Sequence, residues 1–314
     1  MKKIVFIILI SIIVFSCSKE KRSDKKGLKM QTFVTELSSY ARGIDNDFIV
    51  IPQNGSELGF NNLSQEEGVN TDYLAAIDGF GIEELFYDSD GNLNPDQERL
   101  NLLKELKGHK KVMVADYVND TSKYSDAISR NLEEGFICFP RQNNNYSYQE
   151  IPEEIINEND DDINVLSDAQ NYLYLIGNTN FNTKSELVYH LITTNYDVIL
   201  LDLWFKDEIF TRGDMAQLKT KANGGKRLVI SYINVGAAEK YRYYWKDKWK
   251  IHRPGWLKKP YEGYDDEIWV KFWKKEWKEI MYGNDDSYMK KIIDADFDGA
   301  YLDNVEAYYF LYFD

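Results

Sequence analysis

The residues best placed for chemistry in this chain are carboxylates that close apolar runs: Glu83 and Glu84 in GIEEL, Asp116 in VMVAD, Asp202 in VILLD, and Asp303 with Glu306 in YLDNVE. Amides and a phenol stand at comparable places, namely Gln53 and Asn54 in VIPQNG, Tyr232 and Asn234 in VISYIN, and Asn304 directly after Asp303. An ionised carboxylate beside a core is costly unless it is paired or hydrogen-bonded, so a set of them at run ends exceeds what a scaffold needs. Carboxylates acting in pairs suit glycoside hydrolysis, in which one acid protonates the leaving oxygen and its partner attacks or activates water. Other chemistries find little support. His109, His190 and His252 are scattered without ligand spacing, which argues against a zinc or iron site. No GxSxG elbow, phosphate-binding glycine loop or dinucleotide fingerprint occurs, and GGKR at 224–227 reads as a helix stop. No cofactor is expected, and Cys138 in GFICF reads as a small core residue.

Eight apolar runs must position these groups: 48–55, 76–87, 110–118, 135–141, 171–181, 197–205, 226–236 and 298–308. Each is a continuous Val/Ile/Leu/Tyr run and not an alternating one, as expected of strands covered on both faces in a parallel sheet. Between them, segments 31–42, 95–108, 183–194 and 215–225 carry apolar residues at helical spacing with glycine stops. Eight such alternations predict a (β/α)8 TIM barrel, with chemistry at the carboxyl ends of the strands; a doubly wound sheet is the second choice. Two stretches break the rhythm. Residues 142–170 are polar and long for a loop. Residues 246–288, dense in Trp and Lys, follow the seventh run and read either as an exposed substrate wall or as an inward-packed Trp core.

The amino terminus divides into Lys2 and Lys3, an apolar run from Ile4 to Phe15, then Ser16 and Cys17. That pattern predicts a lipoprotein signal over 1–16, lipid on Cys17, a polar tether over 17–29 and one barrel over 30–314. The apolar run is short of the ~20 residues that span a bilayer. Membrane association would then come through the lipid alone, with the protein at the bacterial cell envelope, on the outer membrane or cell surface. The 52 acidic and 38 basic residues give a net charge of −14, and loss of the two leader lysines makes it −16. Such a surface repels nucleic acid and would attract a cationic substrate. Aromatic residues make up 15% of the chain, which fits equally a carbohydrate cleft with rings stacked on sugars and an aromatic core.

Several segments together, VISYINVGAAEKYRYYW, FDGAYLDNVEAY, FIVIPQNG and IDGFGIEELFY, resemble glycoside hydrolase family 114, the endo-α-1,4-polygalactosaminidase-like proteins once labelled as similar to cysteinyl-tRNA synthetase. The resemblance implies a barrel with Asp303 and Glu83 as the catalytic carboxylates. Glu83 is preferred to Glu84 because successive strand side chains alternate and the first acid matches the family pattern. It further implies that Asp202, Tyr232, Glu239 and Arg242 line the sugar subsites, with Asp116, Asn304 and Asn54 as additional candidates. The segment order is rotated relative to the family, so a circular permutation is expected, with 142–170 as the joining linker. Where the family usually has GEAE this chain has GAAE, and Ala237 replaces a carboxylate. The leading expectation is an endo-acting hydrolase of a cationic amino-sugar polysaccharide. A surface lipoprotein that binds polysaccharide without turnover is the alternative. The aminoacylation suggested by the old label lacks its HIGH and KMSKS signatures.

Overall fold

A computed structural model describes the backbone of residues 2–141 and 148–313, and side chains from residue 19 onward. All eight expected strands form, and every pairing among them is parallel. Five make one sheet, in spatial order Ile49–Pro52, Gly299–Asp303, Leu228–Asn234, Val198–Asp202 and Tyr172–Leu175. The other three, Gly79–Glu83, Lys111–Ala115 and Ile137–Cys138, make a second sheet in that order. A bridge between Gln53 and Gly81 links the two sheets at the first and second strands. At the other seam the Phe139 and Tyr172 rings lie 5.7 Å apart.

The strands are buried on both faces, as their unbroken apolar runs require. Space between the sheets is tight. A Cβ on Gly81 would lie 2.0 Å from the Tyr301 hydroxyl, so glycine is what lets the eighth strand's tyrosine cross against the second strand. Helices start where the sequence offers caps. The carboxylates or hydroxyls of Asp96, Thr183 and Thr211 accept from backbone N–H groups in the first turns of Gln97–Leu106, Lys184–Ile192 and Arg212–Leu218.

The N-terminal helix runs unbroken over Lys2–Arg42. Met30, Phe33, Val34, Leu37 and Ala41 recur at helical spacing along its buried face. Residues 17–29, expected as a polar tether, are therefore a correction: they continue this helix. Ser23 is buried and donates its hydroxyl to the Tyr308 carbonyl at 3.2 Å, while the Lys26 ammonium lies 4.2 Å from the Trp273 ring centre. Partners far away in sequence fix the segment, and its local composition does not reveal them. The contact also sets the short helix after the eighth strand, Ala307–Phe310, against the N-terminal helix. No helix among the described residues is long and apolar enough to cross a membrane. The side chain of Cys17 lies outside the described residues.

The polar stretch 142–170 leads from the fourth strand to the fifth; its residues 142–147 lie outside the described ones. The remainder is anchored by Ile163, whose N–H donates to Lys226, and by a fully buried ion pair of Lys221 with Asp197, 2.6 Å apart. Lys221 also donates to the Asn159 side chain at 2.9 Å. In the insertion 246–288 the tryptophans follow the inward-packed reading. Trp256, Trp269 and Trp277 are buried, with Trp249, Trp256 and Trp277 in successive ring contact at 5.1 Å. Its Leu257–Tyr261 and Tyr264–Val270 strands form an antiparallel hairpin, which adds to Ala237–Glu239. The sequence reading gave no strand there.

Replacing Gly81 by Ala forces a methyl into the Tyr301 ring. The Gly81→Ala variant is expected to lose ~1–3 kcal/mol of stability in chemical denaturation. A change within ~0.5 kcal/mol would show that the two strands have room to separate.

Candidate active site

The carboxyl ends of the strands open into a cleft of about 720 Å³. Glu83, from the second strand, and Asp303, from the eighth, both line it. They reach one site because the first strand pairs with the eighth through Ile49–Gly299 to Pro52–Leu302, and is bridged to the second through Gln53. Pleat alternation sends Glu83 into the cleft. Its neighbour Glu84 turns at a positive φ of 56° and pairs with the buried Arg141.

Each carboxylate is held by neutral donors. The Tyr232 hydroxyl donates to Asp303 at 2.5 Å, and Asn304 donates to it twice, through its backbone N–H at 2.7 Å and its side-chain amide at 3.0 Å. Tyr232 can do this because the seventh and eighth strands run in register, Tyr232 beside Tyr301 and Asn234 beside Asp303. Gln53 donates its amide to Glu83 at 2.5 Å, and the Tyr174 hydroxyl fixes that amide by donating to the Gln53 carbonyl at 3.1 Å. The Tyr148 hydroxyl donates to the second Glu83 oxygen, and its ring stacks on Tyr174 with centroids 3.7 Å apart. Asn54, at φ 60°, accepts the Glu83 N–H and an Arg99 N–H, so it positions the end of the second strand.

A second cluster forms one wall. Arg242 grips Asp202 with two N–H groups at 2.8 and 2.6 Å and binds Glu239 at 2.7 Å. Fork geometry of this kind is what a guanidinium offers and an ammonium does not. The cluster is buried, and Arg242 neutralises only one of its two partners. Asp202, Glu239 and Arg242 are thus brought together beside the cleft as expected, with Tyr232 and Asn304.

Asp116 is the exception. It is fully buried and does not line the cleft; it accepts the backbone N–H groups of Leu85, Phe86 and Tyr87 and the amide of Asn131. The expectation that it binds substrate is corrected: it ties down the loop after the second strand. A carboxylate at a strand end can face the backbone of a neighbouring loop as readily as a ligand. Ala237 is completely buried, with its N–H donated to Asn234. Cys138 is buried, as expected of a core thiol.

Two cleft residues are absent from the expected site, and Glu306 is expected only as a strand-end acid without a role. Tyr148 comes from the polar stretch after the fourth strand, and Glu267 from the unexpected hairpin. Glu306 stands two residues past a strand-end pair, and its sequence position alone did not separate it from a solvated loop acid. Glu267 accepts from Asn234 at 3.0 Å. Burial raises Glu83, Glu267, Asp303 and Glu306 above the ordinary carboxylate range. Asp303 is pushed up to about 7, first by burial and then by Glu83, against the Tyr232 hydrogen bond. Burial with Glu57 nearby pushes Glu306 up to about 8, and burial beside Glu239 and Asp303 pushes Glu267 up to about 9. Glu83 is raised by burial, with Arg141 and Tyr148 acting in the opposite sense. Protons are therefore held in this cleft near neutrality, which is what acid catalysis there requires.

Residues 175–311 match the model of glycoside-hydrolase family GH114. That stretch, less than half of the chain, is similar to the family. The match begins at the last residue of the fifth strand, covers the sixth through the eighth and so contains Asp202, Tyr232, Glu239, Arg242, Asp303 and Asn304, while Glu83 and Asn54 fall outside it. Relatives of this chain include an uncharacterized protein of Thermotoga maritima, 39% identical over 79 residues, 25% of this chain and 23% of that protein. Another, from Methanocaldococcus jannaschii, is 31% identical over 153 residues, 46% of this chain and 42% of its own length. A third, from Deinococcus radiodurans, is 31% identical over 116 residues, 37% and 35% of the two chains. The chain thus spans less than half the length of each of these relatives.

The raised carboxylates fix the sign of a pH effect on this protein. Because they bind protons more tightly folded than unfolded, their contribution to stability is complete below about pH 4 and is lost as pH rises through about 7 to 9. Asp303→Asn keeps the site neutral at position 303. Its melting temperature should exceed that of the wild type by ~2–4 °C at pH 8 and by much less at pH 5. An equal difference at both pH values would contradict the assigned proton affinity.

Proposed function

We propose that this glycosidase cuts an amino-sugar polysaccharide internally, at a cleft where Asp303 and Glu83 work as a pair. The observation that carries the reading is their meeting in one cleft although they stand 220 positions apart in sequence. One carboxyl group gives its proton to the glycosidic oxygen as the bond to the anomeric carbon breaks. The other, ionised, takes the anomeric carbon directly or removes a proton from the water that does. Tyr232 and Asn304 hold Asp303 in place for this, and Gln53 and Tyr148 hold Glu83.

A cationic sugar fits the surplus of acid. Glu267 and Glu306 line the same cleft, and neither forms a salt bridge among the described residues. Arg242 is already committed to Asp202 and Glu239. An ammonium on the substrate would relieve the mutual repulsion that helps keep these groups protonated.

The two sheets read as arcs of one (β/α)8 ring opened at an unusual place. Three features support a circular permutation: the first strand pairs with the eighth, Ser23 bonds the short helix after the eighth strand, and the family match begins only at residue 175. On this reading 142–170 joins the ends that the family leaves free. The leader pattern further suggests lipid on Cys17 and a place at the cell envelope, with polysaccharide as the partner and no nucleic acid.

Asp303→Asn and Glu83→Gln should each lower release of oligosaccharides from α-1,4-linked galactosamine polymer by ~10²-fold or more. Folding can be checked by circular dichroism, and polymer binding should persist. Equal slow release by wild type and both variants, with binding intact, would instead indicate a polysaccharide-binding protein.

A further inference from the structure

We infer that Tyr241 is a stacking platform for a sugar ring of the polymer, beyond the units at the scissile bond; this rests on the hydrolase reading of the cleft. Tyr241 lines the cleft and is 61% exposed, which is unusual for a large ring whose position is fixed. Its hydroxyl donates to the buried Glu239 carboxylate at 2.5 Å. The Arg242 guanidinium lies 5.0 Å from its ring centre. Glu239 and Arg242 are buried and ion-paired to each other, so the tyrosine is held at its tip and beside its ring by groups that are themselves tied down.

An ordinary exposed tyrosine samples several rotamers, and a ligand that stacks on it must first immobilise it. Here the tip bond and the cation remove that freedom in advance. The exposed part of the ring is an apolar surface at the wall of a cleft that is otherwise rich in carboxylates. The C–H face of a pyranose matches such a surface, while its amino group faces the acids. A short alcohol or a free ion has no use for a fixed flat ring. A polymer gains from it, because each additional seated unit holds the chain across the scissile position.

The platform predicts a dependence on chain length. Hydrolysis of α-1,4-galactosamine oligomers from dimer to octamer by wild type should show kcat/KM rising with length. In Tyr241→Ala that rise should shrink by about an order of magnitude, and the product ladder should shift. Tyr241→Phe, which keeps the ring and loses the tip bond, should retain most of the length preference. Calorimetry with the same oligomers on Asp303→Asn and on Asp303→Asn/Tyr241→Ala reads the platform without turnover. If Tyr241→Ala keeps the wild-type length dependence, or if Tyr241→Phe is as impaired as Tyr241→Ala, the platform is wrong. Undiminished hydrolysis by Asp303→Asn would instead remove the reading beneath it, a result distinguishable from either.

Discussion

Four carboxylates kept largely out of water in one cleft form the constraint around which the rest of the structure is arranged. Left alone they would repel one another and demand solvent. The protein answers with neutral donors more than with cations. Tyr232 and Asn304 serve Asp303, Gln53 and Tyr148 serve Glu83, and Asn234 serves Glu267. Neutral donors orient a carboxylate without removing its capacity to hold a proton, whereas a guanidinium in contact would keep it ionised. The one tightly gripping arginine in the wall, Arg242, is spent on Asp202 and Glu239.

That arrangement depends on parallel strands delivering their last residues to a common edge. Register does the work: Asp303 lies opposite Asn234, so Tyr232, two residues earlier on the neighbouring strand, reaches it with its hydroxyl. Glycines permit the approach, since a side chain on Gly81 would collide with Tyr301 and one on Gly236 with the Asn304 carbonyl. Loops then complete the site from outside. Tyr148 arrives from the polar stretch that joins the two halves of the chain, and Glu267 from the hairpin built on Ala237–Glu239.

What was legible in the sequence follows the same division. The eight strands announce themselves because burial on both faces demands continuous apolar runs, and their ends mark Glu83, Asp202, Tyr232 and Asp303 directly. Glu83 and Glu84 both line the cleft, and what sets them apart is the left-handed turn at Glu84 and its ion pair with Arg141, which strand alternation alone does not reveal. Asp116 misleads for a physical reason: the same strand-end signal serves a carboxylate that caps a neighbouring loop's N–H groups. Tyr148 and Glu267 carry no local signal, since their roles arise from contacts 65 and 33 positions away. The helical course of residues 17–29 is likewise set by Tyr308 and Trp273, far along the chain.

The central claim, that an acid from near the end of the chain and one from its first third share a single electrostatic environment, can be measured without any substrate. Titration of ¹³C-labelled aspartate carboxyls by NMR in wild type and in Glu83→Gln reports the coupling directly, with Asp303→Asn assigning the resonance. Removing the Glu83 charge is predicted to lower the apparent pKa of Asp303, because a like charge in a desolvated cleft raises it. An Asp303 titration unchanged by the substitution would contradict the account.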